Sequence, residues 1–129
     1  MKRTLLSFVM CLSFSWLFGQ TDDFKRVGAD EFEEVIADPS VIILDVRTRA
    51  EHAEGFIPGT HYNIDVLEDT FTQVATEALP KDKPVALYCR SGNRSKSAAR
   101  ILTEQGYQVV ELETGFRGWQ AAGKAVAHP

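Results

Sequence analysis

A cysteine followed by two arginines in a serine- and glycine-rich run is the part of this chain best suited to chemistry. Cys89-Arg90-Ser91-Gly92-Asn93-Arg94-Ser95 follows the apolar segment Val85-Ala86-Leu87-Tyr88 and precedes a stretch whose apolar positions Ala98, Ile101 and Leu102 have helical spacing. The cysteine is therefore expected in a strand-to-helix loop. Such loops turn backbone N–H groups inward at the positive end of a helix and make a cradle for anions. A thiol at the rim is expected to stand as thiolate, the anion that the cradle prefers. Arg90 and Arg94 offer planar donor forks to an oxyanion, and Gly92 lets the loop turn at positive φ. Ser95 has two readings: N-cap of the helix, or hydroxyl donor to the sulfur.

Charge narrows the ligand. The 129 residues carry 14 basic and 18 acidic side chains, yet no acidic residue occurs from Lys83 to Arg100, where Arg90, Arg94, Lys96 and Arg100 gather. An acidic body with one basic pocket suits a small anion and argues against nucleic acid, which requires an extended basic face.

The N-terminus reads as an export signal. Met1-Lys2-Arg3 forms a basic start and residues 5–18 an apolar run. That run is shorter than the roughly 20 residues of a membrane-spanning helix, which favours cleavage over a stable membrane anchor. The expected division is a signal peptide at 1–19, cut at Gly19-Gln20, and one domain at 20–129. The exported form, periplasmic or secreted, would lose Cys11 and keep Cys89 as its only cysteine. This excludes an intramolecular disulfide, a CxxC pair and a multi-cysteine metal site, and leaves a reactive thiol.

The elements that must hold the loop alternate between strand and helix. Asp30 and Glu33 are expected to cap a first helix. The continuous apolar run 41–46 has the look of a central strand covered on both faces. A polar stretch, 47–54, leads to a Gly55–Gly59 turn and a short strand at 61–64. Residues 66–79 are expected as a helix with Leu67, Phe71, Val74 and Ala78 on one face, ended by Pro80. After the strand to Tyr88 come a helix to Gln105 with Gly106 as its stop, a strand at 109–112, and a helix at 115–122 carrying Trp119. The expected fold is α/β, with a mainly parallel central sheet flanked by helices on both faces and Cys89 at a strand's carboxyl end, where ligands bind in such folds.

The loop from Cys89 to Ser95 resembles the active-site loop of single-domain rhodaneses, the thiosulfate sulfurtransferases. Leu44-Asp45-Val46-Arg47, with Glu51-His52 and Gly55-Phe56-Ile57-Pro58-Gly59-Thr60, is similar to the family's first signature, and Asn63-Ile64 matches the segment after it. Gly115-Phe116-Arg117-Gly118-Trp119 and Ala122-Gly123-Lys124 resemble its C-terminal motif. Phe56 stands where the family often has histidine, and Thr114 where it often has a first glycine. The resemblance implies a rhodanese-like domain performing ping-pong sulfur transfer with Cys89 as nucleophile and no metal or organic cofactor. The donor would be thiosulfate or a polysulfide. The acceptor would be cyanide, sulfite, a thiol or a partner protein. Arg90, Ser91, Gly92, Asn93, Arg94 and Ser95 would bind substrate.

Other prominent residues read as structural. Asp45 and Arg47 are expected to form an ion pair that supports the pocket. His52 and His61 are read as polar loop residues, His128 as part of a fraying tail, and Phe116 and Trp119 as packing. Two rival functions stand against sulfur transfer. A cysteine phosphatase would need five residues between cysteine and arginine, and this loop has four between Cys89 and Arg94. A non-enzymatic sulfur carrier or protein-binding module is the other.

Overall fold

A computed structural model describes residues 24–129, so the expected signal peptide lies outside the described residues. The elements are β1 (Lys25–Val27), α1 (Ala29–Ile36), β2 (Ile42–Asp45), α2 (Arg49–Glu54), β3 (Tyr62–Asn63), α3 (Phe71–Ala78), β4 (Val85–Tyr88), α4 (Asn93–Glu104), β5 (Val109–Leu112) and α5 (Gly115–Ala121). The five strands form one sheet in the order β1-β5-β4-β2-β3, every neighbouring pair parallel.

Strand alternation divides the core between the two sheet faces. Ile42, Leu44, Val85, Leu87, Cys89 and Val109 point to one face, where Phe71 and Ala75 of α3 and Ala98, Ala99 and Leu102 of α4 cover them. Ile43, Ala86, Tyr88 and Leu112 point to the other, under Phe32 of α1 and Phe116 and Trp119 of α5. Side chains on both faces of β2 and β4 are buried, which accounts for their continuous apolar sequences. The thiol of Cys89 thus belongs to the α4 side.

Several local expectations are corrected. The helix expected at 66–79 is only Phe71–Ala78, because residues 66–70 form turns and a bend in which Asp65 accepts from the Leu67 N–H through its side chain and from the Glu68 N–H through its carbonyl. A short acid that bonds its own neighbouring backbone competes with helix formation. Leu67 is left 65% exposed, and Val74 is exposed on the outer side of α3, whose buried face is Phe71 and Ala75. Helix α1 starts from Gly28 with no side-chain cap, and Asp30 instead pairs with Lys124 at 2.7 Å. A true capping box occurs inside the stretch read as merely polar, where Thr48 and Glu51 exchange bonds at the start of α2. The tail is not fraying: Phe56 and Ala127 exchange both backbone bonds, at 2.9 and 2.8 Å, and Trp119 Nε1 donates to the Ala125 carbonyl at 2.7 Å.

Candidate active site

Cys89 follows the last residue of β4 and is 1% exposed. Its Sγ accepts the Gly92 N–H at 3.1 Å and lies 3.3 Å from Ser95 Oγ. Gly92 caps α4 at φ 100°, and a β-carbon there would fall 2.1 Å from the Glu113 carbonyl oxygen. Conformation and space therefore both require glycine at this turn. Ser91 and Asn93 are exposed at the rim of the loop.

The loop is fastened from behind by the start of α5. The N–H groups of Phe116 and Arg117 donate to the carbonyls of Cys89 (2.7 Å) and Arg90 (3.0 Å). In a trans peptide the C=O and the following N–H point in opposite directions. Anchoring these two carbonyls therefore turns the Arg90 and Ser91 N–H groups away from α5. Gly115, at φ 69°, allows the approach, since a β-carbon there would lie 2.3 Å from the Arg90 carbonyl oxygen. Phe116 is thus core packing and also, through its backbone, part of the site.

Of the two readings of Ser95, the cap is excluded because Gly92 occupies that position. Ser95 lies buried in the first turn of α4, with its hydroxyl between the sulfur and a carboxylate: it donates to Glu111 Oε2 in a short hydrogen bond. Glu111, on β5, is fully buried and receives Arg26 Nε at 2.5 Å. Arg26 Nη2 also donates to the Gly92 carbonyl at 3.2 Å, joining β1 to the loop. The hydrogen bond that it donates to Glu111 holds the Arg26 guanidinium more firmly charged than usual, although partial burial acts against it. Neither Arg26 nor Glu111 was singled out from sequence. The available signal was one carboxylate inside the apolar run Val109-Val110-Glu111-Leu112.

The two loop arginines have different partners. Arg90 is exposed and has no ion pair among the described residues, whereas the fork of Arg94 is filled by Glu51, with bonds of 2.7 and 2.9 Å. The expectation of two open forks is corrected for Arg94. A cavity of about 220 Å³, roughly seven water volumes, lies between α2 and α5, with Arg47, Glu51, Arg90, Phe116 and Arg117 among its lining residues. Of the cations lining it, Arg90 and Arg117 have no ion pair among the described residues, the latter another residue missed from sequence; Glu54 contributes one opposing charge.

Asp45 and Arg47 form the expected buried ion pair. Asp45 accepts Arg47 Nε and Nη2 at 2.9 and 2.7 Å, and Arg47 Nη2 also donates to the Gly55 carbonyl at 2.7 Å. The Arg47 guanidinium lies 4.4 Å from the Phe116 ring centroid. Burial opposes its charge, but Asp45 more than offsets this. Of the two histidines read as loop residues, His61 is one, its Nδ1 accepting the Ile43 N–H at 2.9 Å, whereas His52 lies on helix α2 with Nδ1 2.9 Å from Asp45. Among the described residues no three His, Cys, Asp or Glu side chains cluster as a metal site would need.

Residues 28–122 match the model of the rhodanese-like domain family, and the chain belongs to that family. It is 33% identical over 107 residues to a sulfurtransferase of Allochromatium vinosum, covering 81% of this chain and 96% of that protein. It is 30% identical over 98 residues to the thiosulfate sulfurtransferase GlpE of Tolumonas auensis, covering 75% of this chain and 89% of that one. The crystal structure of a rhodanese-related protein from Thermoplasma volcanium superposes with a TM-score of 0.72 at 29% identity, covering 82% of this chain and all of that one. Fold and relatives together support a rhodanese-like sulfurtransferase.

Proposed function

We propose that this protein takes a sulfane sulfur from thiosulfate or a polysulfide onto Cys89 and passes it to a thiophilic acceptor: cyanide, sulfite, a small thiol or a protein thiol. The observation that carries the reading is a lone described cysteine bonded by the Gly92 N–H at the N-terminus of α4, whose chain neighbour Arg90 lines a cavity with Arg117, neither arginine in an ion pair among the described residues. The Cys89 thiolate attacks the outer sulfur of the donor, an S–S bond forms, and the bond to the sulfonate breaks with its electron pair leaving on sulfite. The persulfide anion stays in the cradle, where the loop amides offset its charge without reorganising. Because Cys89 is 1% exposed, only the donor's terminal sulfur reaches Sγ, and the sulfonate stays at the mouth with Arg90 and Arg117. Ser91 and Asn93 border that mouth, and Asp45 and Arg47 support it.

The test is intact-mass analysis after exposure to thiosulfate. One added sulfur atom is expected in the native protein and none in Cys89→Ser; transfer to cyanide by that variant would overturn the reading. The phosphatase alternative loses support because Arg94, the arginine that would hold phosphate, is already paired with Glu51. Export remains part of the proposal and rests on residues 1–19. Cell fractionation with N-terminal sequencing should find a form beginning near Gln20 outside the cytoplasm. Among the described residues no helix is long and apolar enough to cross a membrane.

A further inference from the structure

We infer that Glu111, acting through the Ser95 hydroxyl, is the internal acceptor of the Cys89 thiol proton. The inference rests on the proposed role of Cys89 as nucleophile. Cys89 Sγ, Ser95 Oγ and Glu111 Oε2 form a continuous hydrogen-bonded row, and all three residues are 0–1% exposed.

The argument turns on a count of protons. A serine hydroxyl has one hydrogen to donate, so Ser95 can face either the carboxylate or the sulfur. With Glu111 ionised, the thiol donates to Ser95 Oγ and the hydroxyl donates to Glu111. Shifting both protons one place along the row reverses the two bonds. The carboxyl then donates to Oγ and the hydroxyl donates to a thiolate, which also holds the Gly92 N–H. Both forms contain the same number of protons and the same net charge. Only S–H and O–H bonds are exchanged, and nothing is oxidised or reduced.

Charge compensation alone does not explain the arrangement. A buried carboxylate requires a cation, and Arg26 supplies it mainly through Nε on Oε1, with a longer bond from Nη2 at 3.4 Å to Oε2, the oxygen that Ser95 holds in the shorter bond. The charged groups around the row are Arg26 from β1, Glu113 beyond β5 at 3.9 Å from Arg26, and Arg94 of α4 with its partner Glu51. During turnover Glu111 keeps the proton while the persulfide exists, and returns it when the acceptor removes the sulfur and the thiolate is restored. Glu111 is therefore a positioning residue that sets the proton inventory of the nucleophile.

The pH profile of Cys89 alkylation by iodoacetamide, a small neutral reagent, tests this without any sulfur donor. In the wild type the rate is expected to fall with decreasing pH and then level off, because thiol and thiolate forms with equal proton counts keep a fixed ratio. In Glu111→Gln the proton must leave to solvent, and the rate should keep falling about tenfold per pH unit. Ser95→Ala interrupts the row while leaving the Arg26–Glu111 pair intact, and should also lose the plateau; it decides the matter if Glu111→Gln fails to fold. A wild-type rate that falls tenfold per unit throughout, or a plateau retained in Ser95→Ala, overturns the inference. Persulfide formation is measured separately by mass, so a plateau without an added sulfur would overturn the proposed function alone.

Discussion

Arg90 and Arg117 bring guanidinium groups to the cavity from opposite sides of the loop contact, one from the loop itself and one from α5. Replacing either with Ala should raise the donor KM by roughly five- to thirtyfold, the effect of about 1–2 kcal/mol for an exposed charged hydrogen bond. Arg94→Ala should instead act mainly on stability, since it strips Glu51 of its partner; steady-state kinetics beside denaturant unfolding separates the two. Glycines give a second comparison at this scale. Gly92 and Gly106 have similar φ values, 100° and 96°, but only Gly92 has backbone where a β-carbon would go. Gly106→Ala should cost about 1–2 kcal/mol for the left-handed conformation, and Gly92→Ala more than that together with loss of persulfide formation. The loop was legible in the sequence because its chemistry is local. Glu111 was not, because its importance comes from Arg26, which is 85 residues away in the chain and reaches it only through sheet register.

Helix α2 buries no side chain, so its position depends on its capping box and on Glu51, which ties it to Arg94 of α4. The Arg94 hydrogen bond holds the Glu51 carboxyl at about 2, against an ordinary 4.5, despite the opposing effect of burial. A carboxyl whose folded value is depressed stabilises the fold fully above its unfolded value and loses that contribution as pH falls from about 4.5 to about 2. The shift sets a ceiling of about 3 kcal/mol, and solvent access to the pair reduces this to about 1–2 kcal/mol. Urea unfolding between neutral pH and pH ~3 should show this component. It should be absent in Glu51→Gln, and an identical pH dependence in that variant would contradict the assignment.

The departure at Thr114 has a partner one helical turn along. A β-carbon on Gly118 would lie 2.2 Å from Thr114 Oγ1. Gly118→Ala should therefore destabilise the protein by more than about 1 kcal/mol, with much of the loss recovered in a Thr114→Gly background, a coupling that a double-mutant cycle measures. At this scale the sequence was readable where strands are buried on both faces and least so at the margins. β1 is a three-residue edge strand containing Lys25 and Arg26, and α2 has no apolar stripe to reveal it. Around 66–70 the helical spacing was present, but Asp65 redirected the backbone into turns.

Across the whole molecule, a parallel sheet with helices on both faces puts the thiol, the anion-facing arginines and the buried carboxylate at the carboxyl ends of neighbouring strands. The alternation of strands and helices was enough to foresee this architecture, whereas the strand order was not read from it. The order predicts that a chain ending before residue 109 has neither a partner for β1 nor cover for one edge of β4. Such a truncation should show no cooperative unfolding transition, whereas a protein ending at residue 123 should retain one and lose the pairing at Phe56, the Trp119–Ala125 bond and the ion pairs of Lys124 with Asp30 and Glu33.

The β1–β5 pairing also has a consequence for biosynthesis. Of the described strands the first to leave the ribosome is joined by the last, so during translation the segment containing Cys89 emerges before the carboxylate that will stand behind it. Arg26 waits for Glu111, 85 residues further along, before the two can pair. The proposed nucleophile therefore gains its buried carboxylate only after β5 has been made, however early the loop itself leaves the ribosome.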